Sequence, residues 1–132
     1  MSDDVPQERR DRIAADPFGS MVGIDLVSLA PGRAEARLEV AEAHLNFHGT
    51  PHGGAIYTLA DAAFAAASNA DGETAVALET NLSYFEAVDA GTTLVATAEA
   101  VHRSRRTGSY EVEVATADGE PVAAFRGRVY RP

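Results

Sequence analysis

The sequence predicts an α+β fold in which an antiparallel sheet wraps around one long helix. Three observations predict it. Residues 55–67 run Ala-Ile-Tyr-Thr-Leu-Ala-Asp-Ala-Ala-Phe-Ala-Ala-Ala, mostly strong helix formers with neither Pro nor Gly. That run is apolar all round, and a helix of that kind is buried on every side. After Gly72 the chain is rich in Val, Thr, Tyr and Phe and punctuated by Gly-containing turns, which reads as strands throughout. Nothing else in the chain can cover the helix, so the strands must do it.

In chain order, residues 5–15 read as a short polar helix ending before Pro17. Gly23–Leu29 is a strand and Pro31-Gly32 a turn. Arg33–Val40 alternates, with Ala34, Ala36, Leu38 and Val40 against Arg33, Glu35, Arg37 and Glu39, which is a half-buried strand with one wet face. Glu42–Pro51 holds Gly, Pro, Asn and His and is a loop. Gly53–Asn69 is the long helix, ended by the turn chemistry of Asn69-Ala70-Asp71-Gly72. Four antiparallel strands follow at Thr74–Val88, Thr92–Arg103, Ser109–Thr116 and Pro121–Arg131. Asp89-Ala90-Gly91, Arg106-Thr107-Gly108 and Ala117-Asp118-Gly119 are the hairpin turns between them. No repeat, linker or low-complexity segment interrupts the 132 residues, so residues 1–132 form a single domain.

Composition excludes several chemistries. A chain of this length buries roughly two-thirds of its unfolded surface, and its 45% hydrophobic content can fill that core. There is no Cys, which removes disulfides, thiolate metal sites and cysteine nucleophiles, and no Lys, which removes a P-loop lysine and Schiff-base chemistry. No Gly-x-Ser-x-Gly elbow occurs. A net charge of −9 argues against a nucleic-acid partner. The acidity and the Arg-only cations fit a GC-rich genome or a halophile equally. Met1-Ser2-Asp3-Asp4 is acidic and carries no apolar core of a signal or transit peptide. The longest apolar stretch, Ala55 to Ala67, is too short to span a bilayer. A soluble cytoplasmic protein with no membrane partner is expected.

The residue types that carry chemistry cluster around the helix. Asp61 is a carboxylate in the middle of an apolar helix, and burying it costs several kcal/mol unless it is paired. No cation lies at the neighbouring helical positions Tyr57, Thr58, Phe64 or Ala65. Asp61 is therefore a general base or nucleophile of tuned pKa, or a structural Asp bonded to a distant group. His52-Gly53-Gly54 opens the same helix. A helix start offers unpaired N–H groups and partial positive charge, and glycine lets a ligand approach the backbone, so the segment can hold an oxyanion. Asn46, in the preceding loop, polarises a carbonyl or forms an Asx turn. His44, His48 and His52 recur every fourth residue, but Gly49 and Pro51 break any helix that would align them on a metal, and no metal site is expected. Residues 103–132 carry six Arg against four acids, while residues 1–102 carry five Arg against sixteen acids. That basic tail is an anion site or simply strand alternation.

Asn46, His52-Gly53-Gly54, Leu59-Ala60-Asp61 and a helix ending at Asn69 together resemble the hotdog-fold thioesterases, most closely the phenylacetate-degradation (PaaI-like) branch. Thr107–Val114 and Val122–Arg128 resemble the last two strands of that family, so the likeness covers nearly the whole chain. The resemblance implies a hotdog fold and hydrolysis of an acyl-CoA thioester. It implies that Asp61 activates water or attacks directly and that the Gly53 N–H holds the thioester oxygen, with Asn46 and His52 beside it. Ala77 stands where some relatives place a Ser or Thr, and Thr80 and Ser83 are nearby hydroxyls. A thioester has poor resonance, so a tuned carboxylate and an oxyanion site suffice, and coenzyme A is substrate rather than cofactor. Arg103, Arg105 and Arg106, at a predicted hairpin tip, are expected to bind the phosphates of coenzyme A. The acyl group is a small aryl-acyl or a medium chain, with Tyr57, Phe64, Tyr84 and Phe85 as candidate contacts.

Gly53 and Asp61 are eight residues apart, about 12 Å along a helix and roughly 80° around it. One chain cannot bring both to one carbonyl. A homodimer with shared active sites, or a homotetramer built from it, is expected, and the resemblance implies the same. Two alternatives stand beside hydrolysis. One is a hotdog dehydratase or hydratase using His52 and Asp61 as an acid–base pair on a 3-hydroxyacyl or enoyl thioester. The other is a non-catalytic acyl-CoA-binding protein, which leaves Asp61 without a role.

Overall fold

A computed structural model describes residues 5–132, so the reading of Met1–Asp4 lies outside the described residues. The elements run α1 (Gln7–Ala14), α2 (Pro17–Val22), β1 (Asp25–Ala30), β2 (Arg33–Glu39), α3 (Gly53–Asn69), β3 (Val76–Tyr84), β4 (Thr93–Arg103), β5 (Thr107–Thr116) and β6 (Pro121–Tyr130), with a 3₁₀ turn at Glu42–His44. The six strands form one antiparallel sheet in the order β1-β2-β4-β5-β6-β3. The sheet wraps α3, the arrangement that the sequence predicts.

Small residues decide how closely the layers meet. In β2 and β4, Ala34 faces Ala98 and Ala36 faces Ala96. All four are buried, as are Ala60, Ala63 and Ala67 of the helix. Alanine lies on both sides of this contact, so the helix axis can settle close to the sheet. Larger side chains fill the far side of the core, where Phe64 meets Tyr110 and Phe125 ring to ring at 5.7 and 5.4 Å. Bulges at Leu26/Ser28, Ala77/Glu79, Ala100/His102 and Val114/Ala115 interrupt the ladders and add the twist that bends a sheet around a cylinder.

Several expectations need correction. The helix is not buried on every side: Gly54, Asp61 and Ala65 are exposed and Thr58, Ala62 and Asn69 half-buried, so one stripe of α3 stays uncovered in the single chain. A curled sheet reaches around a helix but does not close over it. The chain also makes a second short helix, Pro17–Val22, between the predicted polar helix and the first strand. Asp16 accepts a hydrogen bond from the Gly19 N–H at 3.1 Å, Pro17 takes the first helical position, and Gly23 ends the turn at φ +98°. The start of the predicted strand at Gly23 therefore belongs to that cap, and β1 begins at Asp25. Asp89-Ala90-Gly91 is not a hairpin turn: β3 pairs with β6 and β4 with β2, so this segment crosses from one edge of the sheet to its interior. The β4–β5 turn is Ser104–Arg106, with Thr107 and Gly108 already in β5.

Gly127 shows how tightly the core is set. A Cβ placed there would meet the Phe64 ring at 2.6–3.0 Å, and Phe64 is itself enclosed. Gly127→Ala is expected to cost about 1–3 kcal/mol through overpacking. Denaturant unfolding should show that loss, and Phe64→Leu in the same chain should recover part of it.

Candidate active site

The first turn of α3 accounts for its own donors with one exception. A helix start leaves four N–H groups without intrahelical acceptors. Here the His52 N–H donates to the His44 carbonyl at 2.8 Å, the Gly54 N–H to His52 Nδ1 at 2.8 Å, and the Ala55 N–H to the His52 carbonyl at 3.0 Å. Of these four, the Gly53 N–H is the one with no acceptor among the described residues. It sits at the positive end of a 17-residue helix. Because His52 Nδ1 accepts a hydrogen bond, its ring carries the proton on Nε2.

Asn46 organises the loop before the helix. Its Oδ1 accepts from the His48 N–H at 2.9 Å, the Thr50 N–H at 3.2 Å and Thr50 Oγ1 at 3.1 Å. The Asx-turn alternative is therefore the observed one, and among the described residues the Asn46 amide N–H₂ keeps its donors unused. Leu45 bridges Pro51, which folds the loop back on the helix start and carries Asn46 with it. The three histidines go separate ways. His44 Nδ1 accepts from the Ala41 N–H at 2.8 Å and its Nε2 lies 2.5 Å from the Val22 carbonyl. His48 stacks on Phe47, and His52 caps α3. No group of three His, Asp or Glu among the described residues is placed to hold a metal.

Asp61 projects from the uncovered stripe of α3, which corrects the expectation of a fully buried carboxylate. No cation among the described residues pairs with it. Although the residue is exposed overall, the protein around its carboxyl removes enough water to raise its pKa above the ordinary carboxylate range, and the nearby Asp16 carboxylate raises it further. Beside it, α1, α2 and β1 enclose a cavity of about 330 Å³ against Ala62, Ala65 and Ala66. Asp16 was readable as a signal, since Asp-Pro is a helix-start pair. Its effect on Asp61 was not, because that depends on how α2 lies across α3.

The structure sets His52 and Gly53 side by side at the helix start, with Asn46 in the loop that leads into it, and leaves Asp61 about 12 Å further along the same helix. His52 and Asp61 therefore form no acid–base pair within one chain. The arginines sit at the opposite end. Arg131, 5% exposed, donates from Nη1 to the Ser104 carbonyl at 2.9 Å and so holds the β4–β5 tip. The Arg103 guanidinium lies over Gly32, 3.4 Å from where a Cβ would stand. Arg106 donates to Tyr130 Oη at 2.9 Å and stacks over that ring at 5.4 Å. Arg105 makes no such bond among the described residues. Phe64 is buried in the core and contacts no substrate, a further correction. Tyr84 and Phe85 line a separate cavity of about 340 Å³ with Gly53, Ile56 and Val88.

Known proteins match this chain along most of its length. The thioesterase superfamily matches residues 48–123. The acyl-coenzyme A thioesterase PaaI of Escherichia coli is 38% identical over 116 residues, which is 88% of this chain and 83% of that protein. The crystal structure of the Thermus thermophilus TT0310 protein is 49% identical, covers 89% of this chain and 98% of its own, and superimposes with a TM-score of 0.85. The smu.793 protein of Streptococcus mutans, solved with acetyl CoA bound, is 30% identical with a TM-score of 0.79, over 83% of this chain and 89% of that one.

Replacing Asp16 by Asn keeps an acceptor for the Gly19 N–H and removes the charge. The Asp61 carboxylate then loses a repulsion, so its pKa should fall towards the ordinary value while remaining raised by desolvation. Carboxyl-carbon NMR titration of Asp61 in both proteins checks the direction. An unchanged or higher pKa in the variant would contradict the coupling.

Proposed function

The chain belongs to the thioesterase superfamily, and from that membership we propose its reaction: hydrolysis of an acyl-CoA thioester with Asp61 as base and the Gly53 N–H as oxyanion donor. The observation that carries this reading is the pair of unmatched groups on α3. One is a lone N–H at the positive end of the helix; the other is an unpaired carboxylate on its open stripe. A raised pKa makes the carboxylate a stronger base, as proton abstraction from water requires.

The Asp61 carboxylate takes a proton from water, and the water oxygen attacks the thioester carbon. The carbonyl π pair moves onto oxygen, where the Gly53 N–H holds it. The Asn46 amide and His52 Nε2–H are the further donors at that end of the helix. Collapse of the tetrahedral intermediate breaks the C–S bond. The departing thiolate of coenzyme A recovers the proton from Asp61, giving a carboxylic acid and a thiol. The cavity lined by Gly53, Ile56, Tyr84, Phe85 and Val88 lies next to the oxyanion donor. Its apolar walls suit a small aryl-acyl or medium-chain acyl group.

The 12 Å between the two groups requires a second copy of the chain. The outer edge of β3 has no neighbour in the sheet, and Val76, Leu78, Tyr84 and Phe85 on and beside it are each about half exposed. A long apolar edge of that kind is covered in stable proteins. A homodimer with its two α3 helices antiparallel sets Asp61 of one chain against Gly53 of the other. A pair of such dimers would give a homotetramer. The Arg tip then lies about 12 Å beyond Asp61, since eight residues separate Asp61 from the end of α3. A pantetheine arm spans that distance and leads the nucleotide to Arg105 and Arg106, with Arg103 behind them.

Mixing two crippled proteins tests the shared site. Asp61→Asn should retain its fold, and at neutral pH should be slightly more stable. Because its pKa is raised on folding, ionised Asp61 opposes folding in full above the raised pKa, and the penalty fades as pH falls to the ordinary carboxylate value. Its turnover should fall below a tenth of wild type, a loss of more than ~1.4 kcal/mol. Combined with Gly53→Pro/Asn46→Ala and allowed to exchange subunits, it should recover about a quarter of wild-type activity, because half of the dimers hold one intact site of two. Verified exchange with no recovery would place each site within one chain.

Replacing Arg105 and Arg106 by Ala is expected to raise KM for acyl-CoA several-fold and to leave KM for the matching acyl-pantetheine unchanged. Equal changes for both substrates would remove these residues from the phosphate site.

A further inference from the structure

An oxyanion donor carried on two consecutive glycines needs holding in place. Glycine holds helical backbone less firmly than alanine does, so the first turn of α3 is the part most prone to fray. Gly53 and Gly54 are not there for backbone freedom, because neither has a positive φ. Their reason is space. A Cβ on Gly53 would stand 3.0 Å from Tyr84 Oη and 3.2 Å from its Cζ, and a Cβ on Gly54 would stand 2.9 Å from His52 Nδ1. Each glycine makes room for a side chain that bonds this turn.

Tyr84 is the last residue of β3, and its hydroxyl donates to the Gly53 carbonyl at 2.8 Å. One turn on, the Tyr57 hydroxyl is hydrogen-bonded to Thr80 of the same strand. The start of α3 is thus pinned to β3 at two successive turns, while His52 holds it from the other side. We propose that Tyr84 is a positioning residue for the oxyanion site: its bond to the Gly53 carbonyl fixes the first turn of α3, so that the free Gly53 N–H keeps one direction. Burial and the neighbouring Tyr57 keep its phenol protonated well past neutral pH, so the donor persists.

This inference rests on the reading of Gly53 as the oxyanion donor, and two variants separate the two ideas. Tyr84→Phe removes one hydroxyl and retains the ring. Assayed on phenylacetyl-CoA and octanoyl-CoA, it should lower kcat about tenfold, leave KM within twofold, and barely move the unfolding midpoint. The second variant adds a backbone ester in place of the Gly53 amide, built in with glycolic acid at that position, which deletes the N–H itself without placing a Cβ against the ring. The double variant should lose at least a further hundredfold. If Tyr84→Phe keeps kcat within twofold of wild type while the double variant is inactive, Tyr84 does not position the site and the Gly53 donor stands. A rise in KM at unchanged kcat would make Tyr84 a substrate contact instead, and overturns the inference. If the double variant is as active as Tyr84→Phe, the donor reading falls and takes the inference with it.

Discussion

Six strands curled against one helix cannot enclose it, and the rest of this molecule follows from that limit. Alanine on both layers brings α3 down onto β2 and β4, and the large rings gather between its far face and β5 and β6. What remains is a stripe running through Gly54, Thr58, Asp61 and Ala65. A carboxylate could be kept on α3 only along that stripe, since every other face is packed against apolar side chains. The position of Asp61 is therefore as much a consequence of the wrapping as of the chemistry proposed for it.

The two ends of α3 are treated in opposite ways, in keeping with the sign of its dipole. At the N-terminus three donors are consumed locally and one is left free. At the C-terminus Arg9 donates to the Ala70 carbonyl at 3.0 Å, the Gly32 N–H takes the Ala67 carbonyl at 3.1 Å, and the Arg103 guanidinium lies over that same glycine. Part of the positive charge in the last thirty residues thus answers the negative end of the helix. Strand alternation alone therefore does not account for it. Arg131 adds a third use, since a nearly buried guanidinium is what holds the backbone of the β4–β5 tip in place.

The sequence carried more of the helix than of the sheet. Gly53–Asn69 was legible to the residue because helix formers, entrance glycines and an Asn-Gly exit are all local signals. All six strands were legible from alternation and composition, but the pairing of β3 with β6 was not. Strand order depends on contacts between segments far apart in the chain, from Tyr84 with Ala123 to Val76 with Tyr130, and a Gly-containing turn looks the same whether the next strand is a neighbour or a crossover. Asn46, Gly53 and Asp61 stood out as residue types in unexpected places. Tyr84 stood out only as a candidate acyl contact, because a tyrosine ending an apolar strand gives no sign of what its hydroxyl bonds. Its hydroxyl acquires meaning only when the strand end meets the helix start, 31 residues away. The uncovered stripe was equally hidden, since an alanine-rich helix shows no polar face by which to recognise an open one.

A protein sequence that specifies one fold has local preferences that agree with one another, and departures from that agreement gather where function requires them. Four departures gather here on one helix and the strand edge beside it. Two glycines begin a helix where better starters exist. At the start of that helix one backbone donor is left without an acceptor among the described residues. Two carboxylates, Asp16 and Asp61, lie close enough to repel. A half-exposed apolar edge on β3 is left without a partner. Each is unfavourable in an isolated chain, and the proposed dimer with a bound thioester would answer three of them together. It would cover the edge, supply an oxygen to the free N–H, and set the repelled carboxylate beside a water that it could deprotonate. The glycines are answered within the chain, by the tyrosine and the histidine that occupy the space a side chain would have taken.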